Sequence, residues 1–315
     1  HRDLHSFPTR RSSDLSWAQI TVNYTEGANA GADQDRCATL VSLGLGGNTP
    51  TVGTGTWSQV GGTGTSTYSS TNANSPNAIA TASTYGAKTY RWTVSGPNGL
   101  CSTTDDKIVN FTEQASAGAD QDRCNTLTSA GLGGNTLSVG SGAWSQVSGP
   151  GSSSFSPNNA TPGASATATL YGTYRYRWTA TSPNGTCSTT DDIDVRYAEQ
   201  ATVASAVLNS CATLTSPALG GNTPSVGSGL WSQISGPGTS TFSNASSGSS
   251  TATASLYGSY VYRWTITNGT CNTWAQVTVR YEPQPTISTA PILDVACNDL
   301  TSTNLGGSAP LLGTS

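Results

Sequence analysis

Gly142-Ala143-Trp144-Ser145-Gln146-Val147 decides the fold, because the chain carries it three times. The other copies are Gly55-Thr56-Trp57-Ser58-Gln59-Val60 and Gly229-Leu230-Trp231-Ser232-Gln233-Ile234, and the tryptophans recur every 87 residues. Other motifs keep the same beat. Leu45-Gly46-Gly47-Asn48-Thr49 returns at Leu132 and Leu219, and as Leu305-Gly306-Gly307. Tyr90-Arg91-Trp92-Thr93 returns at Tyr176 and Tyr262. Self-similarity at a fixed period marks a repeat architecture in which one supersecondary unit is copied along the chain.

Alternation and turn residues outline the strands of one repeat. In the second copy they predict strands over Ala117–Arg123, Thr126–Gly134, Gly142–Ser148, Ser153–Ser156, Ala164–Leu170, Tyr174–Trp178 and Cys187–Tyr197. Tyr174-Arg175-Tyr176-Arg177-Trp178 sets three aromatics on one face and two arginines on the other. Asn184-Gly185 is a tight-turn signal before the last strand. Seven short strands in about 86 residues predict an all-β fold of tandem Ig-like antiparallel β-sandwiches. Trp57, Trp92, Trp144, Trp178, Trp231 and Trp264 are expected in the cores, as the largest apolar area available to small domains. Aromatics facing outward would instead form a platform for sugar.

Composition agrees. Of 315 residues 36 are glycine, 10% are charged and none is methionine, which disfavours helices. Eight tryptophans and twelve tyrosines, most of them in register, argue against disorder. A net charge of −4 offers no basic face for nucleic acid, and no apolar run reaches the roughly 20 residues of a membrane span.

His5-Ser6-Phe7-Pro8-Thr9-Arg10-Arg11-Ser12-Ser13-Asp14-Leu15 resembles the translation of a common short-read sequencing adapter, so residues 1–15 are read as non-native. Both histidines, His1 and His5, fall in that segment. The remaining chain therefore lacks the base of Ser-His-Asp or Cys-His catalysis, and a histidine zinc ligand. Ser16-Trp17-Ala18-Gln19-Ile20-Thr21-Val22-Asn23-Tyr24 matches Thr273–Tyr281. Residues 16–27 are thus expected to be the last strand of a truncated repeat. Whole repeats follow at 28–113, 114–199 and 200–282, and 283–315 is expected to begin a fourth.

Ala30-Gly31-Ala32-Asp33-Gln34, the Leu-Gly-Gly-Asn turn, the Trp-Ser-Gln-Val-Ser-Gly-Pro-Gly stretch from Trp144, the Ala-Thr-Ala strand and the Tyr-Gly-x-x-x-Tyr-Arg-Trp-Thr string together resemble PKD-like Ig-fold domains. The likeness covers 16–315 and is closest to the cysteine-containing versions arrayed in surface and secreted proteins of Bacteroidota, including gliding-type adhesins. It implies an extracellular or cell-surface protein, often exported by the type IX route with a sorting domain beyond this sequence. It also implies a non-enzymatic stalk or adhesin whose surface ligand, glycan or protein, is unknown. Fold likeness alone does not fix function. An array of carbohydrate-binding modules on a secreted polysaccharide-degrading enzyme is the alternative.

Each whole repeat has one cysteine before its second strand and one opening its last. Regular pairs without C-x-x-C or histidine read as structural disulfides rather than zinc sites. The simplest pairing is Cys37–Cys101, Cys124–Cys187 and Cys211–Cys271, leaving Cys297 over. Counting equally permits Cys101–Cys124, Cys187–Cys211 and Cys271–Cys297. In plain Ig topology the first turn and last hairpin lie at opposite ends, which opposes the first scheme unless the first strand is displaced.

Asp105-Asp106 and Asp191-Asp192 are weak calcium candidates, with Asp33, Asp35, Asp120 and Asp122 on the first strands. The third repeat substitutes Thr273-Trp274 and Val207 and Asn209, so solvated edge charges are the simpler reading. Arg91, Arg177 and Arg263 are expected outward, pairing with acids on the neighbouring strand. Asn-x-Ser/Thr triplets at Asn110, Asn159, Asn184, Asn244 and Asn268 are expected in exposed loops. No nucleophile, phosphate loop, metal cluster or cofactor motif stands out, and acids recurring in every repeat do not form one unique catalytic constellation.

Overall fold

The structure, a computed structural model, describes residues 20–22, 24–69 and 73–286. The adapter-like segment and Cys297 lie outside these. The chain divides into two compact units. Unit 1 holds residues up to Glu113 together with Ser182–Cys187, and unit 2 holds Gln114–Thr181 and the chain from Ser188 onward.

Unit 1 contains β1 (Gln34–Cys37), β2 (Val41–Gly44), β3 (Thr54–Gly61), β4 (Ser66–Tyr68), β5 (Ile79–Ala82), β6 (Gly86–Ser95) and β7 (Ser102–Thr112). One sheet runs in the order β1-β7-β6-β3 and the other β2-β5-β4. Unit 2 repeats the plan twice. Its first sandwich has β8 (Gln121–Cys124), β9 (Ser141–Ser148), β10 (Ser153–Ser156), β11 (Ser165–Ala168), β12 (Gly172–Thr181) and β13 (Ser188–Ala198). Its second has β14 (Val207–Cys211), β15 (Ser228–Ser235), β16 (Ser240–Phe242), β17 (Ala252–Ala254), β18 (Gly258–Asn268) and β19 (Cys271–Glu282). Among the described residues there is no helix.

Pairing is antiparallel except at one edge. β1, β8 and β14 run parallel to β7, β13 and β19. Carboxylates help tie on this edge: Asp33 accepts from the Ile108 amide and Asp120 from the Asp194 amide, at 2.8 and 2.9 Å. The first strand is shorter than expected in the second copy, starting at Gln121 rather than Ala117. The strand expected over Thr126–Gly134 is reduced to a bridge between Thr128 and Thr167. Its amides at Ser129, Leu132 and Gly134 bond the carbonyls of Ala166, Ala164 and Pro162, and the three-residue step from Ser129 to Leu132 breaks the regular two-residue spacing of a ladder. Residues 20–22 and 24–27, expected as a last strand, form none, and Ile20, Val22 and Tyr24 are exposed.

Each core is built around two indoles. Trp57–Trp92, Trp144–Trp178 and Trp231–Trp264 lie 5.0, 5.1 and 5.2 Å apart between ring centroids. All six tryptophans are at most 2% exposed. Their ring N–H groups are satisfied locally, as buried donors require. Trp144 donates to the Pro162 carbonyl and Trp178 to the Asn135 side chain, at 3.0 and 3.1 Å. The Asn135 side chain also takes the Ser116 amide and donates to the Gln114 carbonyl. The Leu-Gly-Gly-Asn turn is therefore the cradle of the second indole. A Cβ on Gly134 would stand 2.7 Å from the Trp178 ring, and one on Gly142 would enter it.

Opposite the indoles pack small residues. Ala164, Ala166 and Ala168 come from the β11 sheet, with Tyr174, Tyr176, Ile193, Val195 and Tyr197 from the other. Unit 1 departs from this plan. Lys88 occupies the register position of Tyr174, and Lys107 that of Ile193. Both lysines are buried. Lys88 Nζ donates to Thr63 O, Thr84 Oγ1 and Tyr85 O at 2.5, 3.0 and 3.2 Å, and Lys107 Nζ donates to Leu45 O. Burial pulls both pKa values below the ordinary 10.5, with Asp33 opposing the shift at Lys107.

Two outcomes follow in chemical denaturation. Gly142→Ala destabilises by roughly 1–3 kcal/mol through overpacking against Trp178, whereas Gly163→Ala, with open space around its Cβ, stays within about 0.5 kcal/mol. Lys88→Tyr, which restores the residue of the other copies, stabilises unit 1 by about 1–3 kcal/mol near neutral pH. The folded state sheds the Lys88 proton before the unfolded state does. Stability of the parent therefore climbs with pH between the lowered pKa and 10.5, and the gain from Lys88→Tyr shrinks over that window.

Candidate functional site

The cysteines sit where the parallel edge puts them. Cys37 lies opposite Thr112 at the far end of β7, while Cys101 immediately precedes that strand. Eleven residues of extended chain separate the two positions, roughly 35 Å, and a disulfide tolerates no more than about 7 Å between Cα atoms. The same separation holds for Cys124 and Cys187 and for Cys211 and Cys271. Pairing within a repeat is thereby corrected. The structure bonds Cys37 to Cys187 and Cys124 to Cys271, with Cα atoms 6.0 and 5.5 Å apart. The alternative scheme of Cys101–Cys124, Cys187–Cys211 and Cys271–Cys297 is corrected by the same bonds. Cys101 and Cys211 are exposed thiols.

Each bond clasps the loop before a last strand. In unit 1 the clasped loop is Ser182–Cys187. Asp35, two residues before Cys37, accepts from the Asn184 amide, Asn184 Nδ2 and Thr186 Oγ1 at 3.2, 3.1 and 2.9 Å. Its inner oxygen also takes Asn110 Nδ2 at 2.9 Å. Burial raises the Asp35 pKa, but the hydrogen bonds from Asn110, Ser182, Thr186 and Asn184 outweigh it, and the net shift is downward. In unit 2 the equivalent Asp122 bonds to Arg196 and lies against Gly269, where any Cβ would collide with its carboxylate. Glycine, here with φ of 55°, leaves that space to the carboxylate. Asn110 and Asn268 are buried rather than in exposed loops, which corrects the reading of their Asn-x-Thr triplets: one bonds Asp35 and the other ends β18.

The calcium candidates are engaged by protein donors. Asp105 accepts from the Ala30 amide and Asp191 from the Ala117 amide, both at 2.8 Å. Asp106 takes Arg91 in a two-pronged pair at 2.7 and 2.8 Å, and Asp192 takes Arg177 at 2.7 and 2.9 Å. These guanidinium hydrogen bonds hold both carboxyls below the usual carboxylate range. Solvent screens such exposed pairs, so they add little to stability. Adjacent aspartates on a strand point to opposite faces, so neither doublet converges on one ion. Among the described residues no cluster of three or more metal-ligating side chains occurs. Arg263 departs from its counterparts. Gln276 stands opposite it, and its guanidinium lies 4.5 Å over the Trp274 ring. Trp274 is 55% exposed, an outward aromatic that the repeat pattern did not single out.

The strand order, with a first strand parallel to the last and a two-sheet core around paired indoles, defines tandem Ig-like β-sandwiches. No family model and no curated protein matches the chain. Solved structures similar to it are Ig-like and PKD-type domains. An I-band fragment of titin is 12% identical with a TM-score of 0.36, over 82% of this chain and 98% of that one. Sidekick-1 immunoglobulin domains 1–4 are 10% identical with a TM-score of 0.32, over 82% of this chain and 76% of that one. The PKD domain from the KIAA 1837 protein is 20% identical with a TM-score of 0.25, over 31% of this chain and 98% of that one.

Asp35→Ala removes the carboxylate that holds the Asn184 turn. A phosphine reductant then opens Cys37–Cys187 about tenfold faster or more, as expected for lost charge-assisted hydrogen bonds, and opens Cys124–Cys271 at an unchanged rate. Because the Asp35 pKa is depressed, its contribution is complete above the ordinary 3.8 and fades as pH falls through the lowered value. Peptide mapping after timed reduction reads both bonds.

Proposed function

We propose that the chain is a non-enzymatic run of Ig-like repeats, at 28–113, 114–199 and 200–282, that serves as the stalk or adhesive region of a large extracellular or cell-surface protein. The observation that carries this reading is the disulfide pattern, in which a cysteine from the first strand of one repeat bonds the last-hairpin cysteine of the next. Such bonds contribute little to a single active centre. They resist separation of successive modules under load. Disulfides also fit an oxidising compartment. Weak contacts repeated along an array gain strength through multivalency. Origin in a gliding-type bacterial surface protein and export by the type IX route rest on the sequence resemblance alone.

The absence of histidine outside residues 1–15 supports a non-catalytic role. The cores absorb the repeated tryptophans and leave Trp274 as an exposed one beneath Arg263. A carbohydrate-binding array would expose an aromatic in each copy. Glycan-array binding by the whole chain discriminates the two. The stalk reading expects no saturable glycan binding that Trp274→Ala abolishes; reproducible binding lost in that variant would overturn it. In single-molecule pulling, oxidised protein should release less contour length than reduced protein, since residues between bonded cysteines stay locked.

A further inference from the structure

Cys101 and Cys211, both unbonded, occupy the two kinds of position that are joined in Cys37–Cys187 and Cys124–Cys271. Cys37 and Cys124, which are bonded, and Cys211, which is not, share one backbone setting. Each ends a strand paired in parallel to a last strand, opposite Thr112, Ala198 and Glu282. Each is followed by a left-handed residue, Ala38, Asn125 or Ala212, with φ of 56, 50 and 59°. The amide of that residue bonds the carbonyl of Thr112, Ala198 or Glu282 at 3.0, 2.8 and 2.8 Å. Non-glycine residues seldom hold this conformation, so its threefold recurrence marks a fixed presentation of the preceding thiol. Asn209 stands in Cys211's strand where Asp35 and Asp122 stand in the bonded ones.

Cys101 is the loop half. Gly96-Pro97-Asn98-Gly99-Leu100-Cys101 reproduces Ser182-Pro183-Asn184-Gly185-Thr186-Cys187. Gly96 N bonds Cys101 O and Gly99 N bonds Gly96 O at 2.8 and 2.9 Å, matching Ser182 to Cys187 and Gly185 to Ser182, both at 3.0 Å. Gly99 and Gly185 share φ of 69°. Leu100 replaces the Thr186 that touches Asp35, and it is 91% exposed. A groove beside Cys101 is lined by Thr21, Val22 and Thr25, from the segment whose sequence matches the last strands.

We propose that Cys211 and Cys101 each bond a complementary half-clasp on a further repeat of this type, so that two copies of this chain join head to tail through Cys211 of one and Cys101 of the other. The inference rests on the repeat-array reading but not on what the array adheres to, and glycan binding and thiol pairing are read separately. Bond formation needs a low-molecular-weight disulfide as oxidant. One thiolate attacks it to give a mixed disulfide and one reduced thiol. The second thiolate displaces the other half, so two protein thiols and one oxidised glutathione give one protein disulfide and two reduced glutathiones.

The test uses the whole chain carrying Cys297→Ser, with Cys101→Ser in one preparation and Cys211→Ser in the other. Equimolar mixtures are equilibrated in glutathione buffer, and dimers are resolved by mass after non-reducing digestion. Random pairing makes the heterodimer equal to the two homodimers combined. The proposal expects the Cys211–Cys101 heterodimer in at least tenfold excess, with Cys37–Cys187 and Cys124–Cys271 intact in both preparations as the folding control. Heterodimer at or below the random share, or no dimer, overturns it. So does a bond between Cys101 and Cys211 of one chain when both are present. Asn209→Asp, restoring the carboxylate of the bonded copies, should raise the heterodimer yield without adding a thiol, and an unchanged or lower yield counts against the clasp.

Discussion

Two indoles in contact across neighbouring strands hold each sandwich together. Trp144 and Trp178 fill a space that would otherwise need several branched side chains, in domains too small to supply them. The arrangement constrains nearly everything around it. The facing strand must be alanine-rich, because Ala164, Ala166 and Ala168 leave room for rings. Gly134 and Gly142 must lack a Cβ because the Trp178 ring occupies its place. Asn135 must follow the paired glycines because it takes the indole N–H while tying the turn to the segment before β8. Part of the glycine and alanine content is thus the packing requirement of a large aromatic pair.

The edge strands obey a different logic. A first strand that runs parallel to the last brings its own cysteine to one end of the sandwich and leaves the hairpin cysteine at the other. The thiols of one repeat are therefore complementary but out of reach of one another. A bond forms instead to a hairpin supplied by another repeat, and at Cys37 the aspartate two residues upstream holds that hairpin by hydrogen bonds to Asn184 and Thr186. Stability of a repeat and linkage between repeats are thus handled by separate groups: indoles inside, carboxylate and thiol at the edge. The outward arginine–aspartate pairs contribute solubility more than cohesion.

Unit 1 shows how much variation the plan tolerates. It replaces Tyr174 and Ile193 by Lys88 and Lys107 and keeps the strand order. The replacements survive because each ammonium finds carbonyl oxygens in turns at the sandwich margin. A buried cation held by neutral oxygens, as Lys88 is, is costly, and its lowered pKa adds a pH dependence to the stability of this copy. The third copy varies outside instead, exchanging the aspartate opposite Arg263 for Gln276 and adding Trp274.

The period of 87, the alternation of Tyr174 through Trp178 and the glycine-bounded turns were enough to read an all-β chain of tandem Ig-like sandwiches, because side-chain spacing along a strand is a local property. The segment Thr126–Gly134 looked like a strand and keeps only a bridge at Thr128, because the three-residue step between the bonded amides of Ser129 and Leu132 interrupts the ladder. Cysteine partners were not legible. Spacing along the chain carries no information about which end of a strand a thiol occupies. That is decided by the parallel first strand, a long-range pairing between residues some 75 positions apart. So sequence alone determined that the cysteines come in regular pairs and the tryptophans in register. Only the tertiary structure decided that the bonds run between repeats, since an eleven-residue strand is too long for a disulfide to span.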